Sequence, residues 1–318
     1  MLNPDKELLV IALGGNALLG PKSKGTIEEK EESTDFTAEK MYPVIKENYH
    51  LVITHGNGPQ VGNLLIQNDI AAHKTPPMPL DVCVAETQGE IGYILQKSIQ
   101  NILSKHKFSK SIVTLLTQVI VDKNDLAFES PSKPVGPYYS AEQTKEILKE
   151  KDWKFKEDPG GRGYRRVVAS PKPIKIMETK AISEMLANDN IVIAVGGGGI
   201  PVYFDKDEKI QGVEAVIDKD FASSQLAIDL KADKFIILTN VEFCSLNYKK
   251  ENEIVIKEMN LDEAMTYLDQ GHFSSGSMGP KVSAAVDYVL ATGKQAIISN
   301  LENLANAVKG ISGTIIHQ

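Results

Sequence analysis

Short apolar runs alternate with longer amphipathic stretches along most of this chain. The runs are rich in β-branched residues and lie at Leu8–Leu13, Leu51–Thr54, Ser111–Val121, Ile191–Val195, Lys234–Thr239 and Gln295–Ser299. The stretches between them predict helices at Glu28–Asn48, Gln60–His73, Val84–His106, Glu178–Asn188, Asp220–Leu230 and Pro280–Thr292. Such alternation is typical of a mainly parallel sheet with helices on both faces. We therefore predict an α/β fold in which the runs are buried strands.

Two stretches interrupt this alternation. Residues 122–173 are rich in proline, glycine and charge, and Ser140 with Gln143 forms a capping signature for one short helix inside them. We predict that 122–173 is an inserted lid subdomain within a single domain spanning 1–318. Residues 201–217 place two β-rich runs around a polar DKDE turn, which predicts a hairpin.

Three glycine clusters follow three of the predicted strands. They are Gly14-Gly15-Asn16, Gly56-Asn57-Gly58 within HGNGPQVG, and Gly196–Gly199. Ligands of open parallel sheets bind at the carboxyl ends of the strands, where glycines allow close approach and helix N-termini favour anions. The clusters therefore predict a site for a small anion or a transferring phosphate.

Three lysines supply positive charge for such a site. Lys133 lies in SPSKPVG within the predicted lid, while Lys219 in AVIDKD and Lys281 in GSMGPK stand at predicted helix starts. A cation at a helix N-terminus is disfavoured by the helix dipole unless an anion lies between them. We expect phosphate contacts from these lysines, with Asp220 orienting the ammonium groups.

Charge and cysteine content narrow the function classes. The 318 residues carry 35 basic and 42 acidic side chains, a formal charge of −7, which argues against a nucleic-acid binder. Cys83 and Cys244 are far apart and lack the spacing of a zinc site, so we interpret them as reduced thiols. The sequence shows no signal peptide and no apolar run near the ~18 residues of a membrane span. We expect a cytoplasmic protein that does not bind membranes.

Two common nucleotide motifs do not fit the glycine clusters. Gly56, Gly58 and Gly62 give G-x-G-x-x-x-G rather than the dinucleotide fingerprint, and the Walker A pattern is not found in the sequence. These mismatches disfavour an NAD-dependent oxidoreductase and a P-loop nucleotidase.

The chain resembles the carbamate kinases of the amino-acid kinase superfamily. The resemblance is carried by VIALGGNALL, HGNGPQVG, PSKPVGPYY, GRGYRRVVASPKP, VGGGGIPV, VIDKD and GSMGPK, in an order that covers nearly the whole chain. It implies a three-layer αβα sandwich, a homodimer, and the reversible reaction of ATP with carbamate to give ADP and carbamoyl phosphate. It also implies Mg²⁺, held mainly by the nucleotide phosphates with no protein ligand assigned, and use for ATP synthesis in arginine breakdown.

The resemblance also implies roles for individual residues. The residues expected to bind carbamate and the phosphoryl group are Gly14, Gly15, Asn16, Gly56, Asn57, Gly58, Gly196 and Gly197. The catalytic residues would be Lys133, Lys219, Lys281 and Asp220. The residues expected near the nucleotide are Thr239, Asn240, Val241, Tyr248, Met278 and Gly279.

Single positions bear on the alternatives. Related acetylglutamate and uridylate kinases typically carry a lysine two positions before the first Gly-Gly, where this chain has Ala12. The resemblance to carbamate kinases implies that the lid lysine, Lys133, supplies this charge instead. Asn240 departs from the aspartate of many members. His55 we interpret as a loop or core residue. Another carboxylate kinase of the same fold and a non-catalytic nucleotide-binding regulator remain alternatives.

Overall fold

The computed structural model describes residues 2–20, 23–158, 160–274 and 276–318. Its strands are Leu8–Leu13 (β1), His50–His55 (β2), Ile112–Thr114 (β3), Gln118–Ile120 (β4), Lys133–Tyr139 (β5), Lys154–Glu157 (β6), Tyr164–Val168 (β7), Lys175–Ile176 (β8), Ile191–Ile193 (β9), Ile200–Phe204 (β10), Ile210–Gly212 (β11), Lys234–Thr239 (β12), Cys244–Leu246 (β13), Ile254–Ile256 (β14), Glu258–Asn260 (β15), Ala296–Asn300 (β16) and Thr314–His317 (β17). Its α-helices are Ile27–Ile45 (α1), Gly58–Ala71 (α2), Leu80–Lys105 (α3), Ala141–Glu150 (α4), Thr179–Ala187 (α5), Lys219–Asp229 (α6), Leu261–Asp269 (α7), Met278–Thr292 (α8) and Leu304–Val308 (α9).

An eight-stranded sheet organises the molecule. Its strand order is β15-β17-β16-β12-β1-β2-β9-β3, with β1 near the centre. Strands β16 and β17 pair antiparallel, and the other neighbours pair in parallel. The predicted mainly parallel sheet is therefore confirmed.

Helices cover both faces of this sheet because alternate strand residues point to opposite sides. Val10 and Ala12 of β1 share a core with Leu226 of α6 and with residues of α5, α7 and α8. Ile11 shares the other core with Met41 of α1 and with residues of α3 and α9. The two cores make the molecule a three-layer αβα sandwich, as the resemblance implies.

The predicted strand Ser111–Val121 is wrong as a single strand. Its first part, β3, pairs with β9 in the main sheet, whereas β4 pairs with β10 and β8 in a second sheet of order β11-β10-β4-β8. The chain leaves the main sheet at Thr117, whose backbone N–H and C=O are both bonded by the buried Gln88 side chain, at 2.8 and 3.0 Å. The Thr117 carbonyl also accepts from the backbone N–H of Ile200 in β10 at 2.9 Å. Thr117 thus lies where the run passes from one sheet to the other.

The inserted segment forms a small sheet of its own. Strands β5, β7 and β6 pair antiparallel in that order, and α4 follows the capping box made by Ser140 and Gln143. We call residues 133–168 the inserted sheet. It contacts α2 where Gly136 lies against Gly62, and a Cβ placed on Gly62 would lie 2.9 Å from the Gly136 Cα. Whether the segment opens and closes as a lid stays a prediction.

The remaining elements include the predicted hairpin and several that were not predicted, among them α7, α9, β15 and β17. The predicted hairpin is confirmed as β10 and β11, which pair antiparallel, but it ends at Gly212 rather than at residue 217. Helix α7 was not predicted, although Asn260 and Glu263 form a capping box at its start and were a readable signal. In the described ranges we find no helix with the length and apolarity needed to cross a bilayer.

Candidate active site

Helix α6 presents three charged residues at its N-terminus. Asp218 is the N-cap, and its Oδ1 accepts a hydrogen bond of 2.9 Å from the backbone N–H of Asp220. An aspartate is among the best N-caps because its oxygen satisfies an N–H group that lacks an intrahelical partner. The cap fixes the first turn, so the positions of Lys219 and Asp220 are set by the helix itself.

Asp220 joins two of the predicted lysines. Its Oδ1 accepts from the Lys219 Nζ at 2.6 Å, and its Oδ2 accepts from the Lys281 Nζ at 2.9 Å. Burial would raise the pKa of the Asp220 carboxyl, but the two ammonium groups more than offset it and the pKa is lowered. The carboxylate is therefore ionised at neutral pH and orients both cations.

Both lysine side chains are mostly buried, with 14% of each exposed. Burial lowers the pKa of the Lys219 side chain, and the Lys281 charge adds to that effect, while Asp220 opposes it. Lys281 comes from the first turn of α8, and α8 packs against α6. Because two positive charges share one acid, the cluster has an excess positive charge that an anion would balance.

Lys133 approaches the same place from the inserted sheet. It is the first residue of β5, and its Nζ donates to the Asp218 Oδ2 at 2.7 Å. The sequence predicted that Lys133 of the lid contacts phosphate, but it suggested no role for Asp218. The stretch AVIDKD was the available signal, because an acid just before a helix start is a common N-cap.

A cavity of about 260 Å³ lies against Lys133 and Lys219, whereas Asp218, Asp220 and Lys281 do not line it. The predicted residues that line it are Gly15, Gly56, Asn57, Gly58, Gly197, Lys133 and Lys219. Its volume is below that of a typical drug-sized ligand site, so it suits a small substrate. Gly58 and Lys219 are the first residues of α2 and α6, so two helix N-termini border the cavity, and each favours an anion.

Two glycines in these loops cannot carry a side chain without moving a neighbour. A Cβ on Gly197, whose φ is +67°, would lie 2.4 Å from the Asn57 Nδ2. A Cβ on Gly56 would lie 3.2 Å from the Lys219 side chain. The glycines thus let two loops and a lysine converge at one edge of the sheet.

His55 is buried directly before this loop. Its Nδ1 lies 3.0 Å from the Gly56 carbonyl oxygen, and its Nε2 is 2.6 Å from where a Cβ on Gly196 would lie. Burial, together with the charge of Lys219, lowers the pKa of the imidazole to about 4. His55 is therefore neutral at pH 7 and packs between the second and third glycine clusters. Gly196 is buried in that packing and does not line the 260 Å³ cavity.

Gly14 belongs to a different cavity. A Cβ on Gly14 would lie 2.6 Å from the Leu238 carbonyl oxygen, so the glycine allows β1 and β12 to end side by side. With Thr239 and Asn240 it lines a cavity of about 250 Å³ at the ends of β1, β12 and β16. The backbone of Asn16 forms part of a short 3₁₀ turn, Gly15–Ala17, but its side chain lies outside what the structure describes.

The six residues expected near the nucleotide do not share one cavity. Thr239 ends β12, Asn240 and Val241 follow it directly, and Met278 and Gly279 begin α8. Tyr248 lies in the connection between β13 and β14 with half of its surface exposed. The Met278 Sδ lies 3.6 Å from the Cys244 Sγ. The structure thus brings the four predicted catalytic residues close together, whereas the six residues expected near the nucleotide are spread over several elements.

A larger cavity adjoins Lys133 on the other side. It measures about 740 Å³ and lies between the inserted sheet and the starts of α6 and α8. Its basic lining residues are Lys133, Lys156, Arg162, Arg165 and Lys172. Sequence reasoning quoted the stretch GRGYRRVVASPKP, which holds three of these five, without assigning it a role.

Known proteins share this architecture. The sequence profile of the Amino acid kinase family matches residues 7–300. Carbamate kinases of Pyrococcus furiosus and Clostridium perfringens are 47% and 46% identical to this chain, covering 96% and 97% of it and 98% and 99% of those proteins. A structure of carbamate kinase from Giardia lamblia bound to AMP-PNP superposes with a TM-score of 0.92 at 42% identity, covering 98% of this chain and 99% of that chain. The chain therefore belongs to the amino acid kinase family, in the carbamate kinase group.

Proposed function

We propose that this protein is a carbamate kinase that catalyses reversible phosphoryl transfer between ATP and carbamate, giving ADP and carbamoyl phosphate. One observation carries the choice among kinases of this fold. Besides Lys219, the cavity receives a cation from Lys133 of the inserted sheet, while Ala12 of β1, where related kinases have a lysine, is fully buried in the core. Similarity to carbamate kinases over nearly the whole chain supports the same choice.

The chemistry needs charge neutralisation more than proton transfer. Carbamate is ionised at neutral pH, so its oxygen attacks without a general base. The energetic problem is to bring that anion against a polyphosphate and to stabilise the transferring group. In our proposal the loops of Gly15 and Gly56–Gly58 bind carbamate and the phosphoryl group through backbone N–H groups. Lys133, Lys219 and Lys281 would place positive charge around the transferring group.

Asp220 would act through the two lysines that it holds. Both of its oxygens accept from ammonium groups, which holds the carboxylate between the two lysines. Among the residues that the structure describes, no group of three or more His, Cys, Asp or Glu side chains could hold a metal ion. In our proposal Mg²⁺ is carried mainly by the nucleotide phosphates, where the ion would shield phosphate charge.

We place the nucleotide phosphates beside the starts of α6 and α8. Gly276 and Pro280 line the 740 Å³ cavity together with Lys133, so a phosphate chain there would reach both lysine-bearing helices. The base and ribose would extend toward Thr239, Asn240, Val241, Tyr248, Met278 and Gly279. Asn240 in place of an aspartate changes a polar contact at that end, away from the transferring group.

Other properties of the proposal follow the resemblance. We expect a homodimer, a cytoplasmic location and a flux toward ATP at the end of arginine breakdown. Sedimentation at several protein concentrations would test the dimer, and a sedimentation coefficient of a monomer at all of them would contradict it.

The decisive experiment measures ATP formation from ADP and carbamoyl phosphate, with Mg²⁺ present or chelated. Acetyl phosphate and acetylglutamyl phosphate serve as competing donors, and Lys133→Ala runs in parallel. We expect Mg²⁺-dependent turnover with carbamoyl phosphate alone, reduced in the variant on the order of 10²–10³-fold. Turnover with acetylglutamyl phosphate instead would identify another carboxylate kinase. Tight nucleotide binding without turnover would identify a regulator.

A further inference from the structure

The inserted sheet reaches the active site through one carboxylate. Asp218 uses its Oδ1 to cap α6 by accepting from the Asp220 N–H at 2.9 Å, and its Oδ2 to accept from the Lys133 Nζ at 2.7 Å. The two oxygens thus join two parts of the chain that are 85 residues apart. No other ion pair in the described ranges links the inserted sheet to α6.

We propose that Asp218 is a positioning residue that holds the Lys133 ammonium at the active-site cavity before substrate binds. The inference rests on the proposed function, since Lys133 matters only if the cavity receives a transferring phosphoryl group. An ammonium has three N–H donors and Asp218 accepts from one of them, so two remain for phosphate oxygens. Asp218 therefore orients the cation without using up its donors.

Electrostatics explains why a carboxylate stands at this position. An acid at a phosphate site repels phosphate, so its presence needs a compensating gain. The Lys133 and Asp218 side chains are 32% and 21% exposed, which makes their pair less screened than a surface pair. The Asp218 charge also favours the protonated form of Lys219, which burial disfavours. One acid thus supports two of the three cations.

The need for a helix cap does not by itself explain why residue 218 is an aspartate. Asparagine caps helices about as well as aspartate does. An Asp218→Asn variant keeps an oxygen for the Asp220 N–H but presents an uncharged group, or an N–H donor, to Lys133. The variant therefore separates the cap from the ion pair.

The experiment is a double-mutant cycle on ATP formation from ADP and carbamoyl phosphate. It compares the wild type, Asp218→Asn, Lys133→Ala and the double variant, with Asp205→Asn in the remote hairpin turn as a charge-matched control. We expect Asp218→Asn to lower kcat by roughly 10–100-fold with little change in the KM for ADP. In the Lys133→Ala background, Asp218→Asn should lower kcat by less than about threefold, because the two residues act as a unit.

Two further measurements separate positioning from folding. The urea midpoint of Asp218→Asn should match that of the wild type because the cap is kept, and Asp205→Asn should keep wild-type kcat. In the ligand-free protein, amides of β5 should exchange with deuterium faster in Asp218→Asn than in the control.

The outcomes distinguish this inference from the function on which it rests. Wild-type protein that is inactive with every phosphoryl donor overturns both. An active wild type overturns the inference alone if Asp218→Asn keeps its kcat, or if the losses of the two single variants multiply in the double variant. A lowered urea midpoint that accounts for the lost activity also overturns it, because Asp218 would then serve the fold.

Discussion

At the scale of single residues, the site depends on one buried acid. Asp220 is 2% exposed, and both of its oxygens are bonded to ammonium groups. Removing the Asp220 charge would leave the Lys219 and Lys281 ammonium groups without their shared anionic partner in a mostly buried site. The cost of breaking a buried ion pair comes mostly from the charges left without a partner.

We therefore expect Asp220→Asn to reduce both stability and turnover. The free energy of unfolding should fall by about 3–5 kcal/mol, the cost typical of breaking a buried pair. Urea denaturation at pH 7 measures it, with Asp229→Asn on the same helix as a control for the change of charge. A loss in Asp220→Asn no larger than in that control would show that the two lysines find other partners.

His55 gives a pH dependence with a defined sign. Its pKa is lowered by burial from 6.5 to about 4, so the unfolded chain binds a proton in a range where the folded protein does not. Stability linked to His55 is complete above pH 6.5 and is lost as the pH falls from 6.5 toward about 4. At 1.36 kcal/mol per pKa unit the loss amounts to about 3 kcal/mol.

The comparison with His55→Gln isolates this contribution. Between pH 7 and pH 4 the wild type should lose about 3 kcal/mol more unfolding free energy than the variant, because other titrating groups act on both proteins. Urea denaturation across that pH range measures the difference. Parallel curves would mean that the folded protein protonates His55 as readily as the unfolded chain does.

At the scale of elements, two glycines decide how closely the inserted sheet approaches α2. Gly62 of α2 faces Gly136 of β5, whose φ of +72° already requires glycine. A Cβ on Gly62 would lie 2.9 Å from backbone atoms that cannot rotate away. The strand that carries Lys133 would then have to move.

We expect Gly62→Ala to lower turnover while the protein stays folded. Lys133 would be displaced from the cavity, and a misplacement of about 1 Å can cost on the order of 10²-fold in rate. The matched control is Gly89→Ala in α3, where an added Cβ meets nothing within 4 Å. Kinetics of ATP formation in both variants measure the effect, and equal turnover would show that the inserted sheet accommodates the methyl group.

The break between β3 and β4 shows which part of the fold lay beyond prediction at this scale. The β-branched and apolar residues that dominate the run from Ser111 to Val121 predict one strand, and the few polar residues among them do not mark where it breaks. The interruption depends on Gln88, almost thirty residues earlier, which satisfies the Thr117 backbone. Contacts of that range are formed by the fold and leave no local signature in the sequence.

At the scale of the whole molecule, the inserted sheet and the central sheet differ in how they are held. The central strands are buried on both faces, whereas β5 and β6 keep half-buried or exposed positions along most of their length. Local opening is easiest where few apolar groups are buried. The inserted sheet is therefore better suited than the central sheet to open for substrate.

Hydrogen exchange tests this difference. In the ligand-free protein the amides of β5, β6 and β7 should exchange faster than those of β1, β2 and β12, and ADP with carbamoyl phosphate should slow them selectively. The central strands serve as the internal control. Exchange that is equally slow in both sheets, with or without ligands, would show that the segment does not act as a lid.

The sequence by itself determined the α/β layers, the three glycine clusters and the three candidate lysines. The reason is that strand and helix periods and short motifs depend on residues that are neighbours in the chain. It also placed Lys133, Lys219 and Asp220 among the residues of one site. Only the tertiary structure decided that Asp218 bonds Lys133, that Gly14 and Gly196 support packing beside the main cavity, and that the 111–121 run divides between two sheets. Each of these depends on contacts between distant segments, which form only when the chain has folded around its two cores.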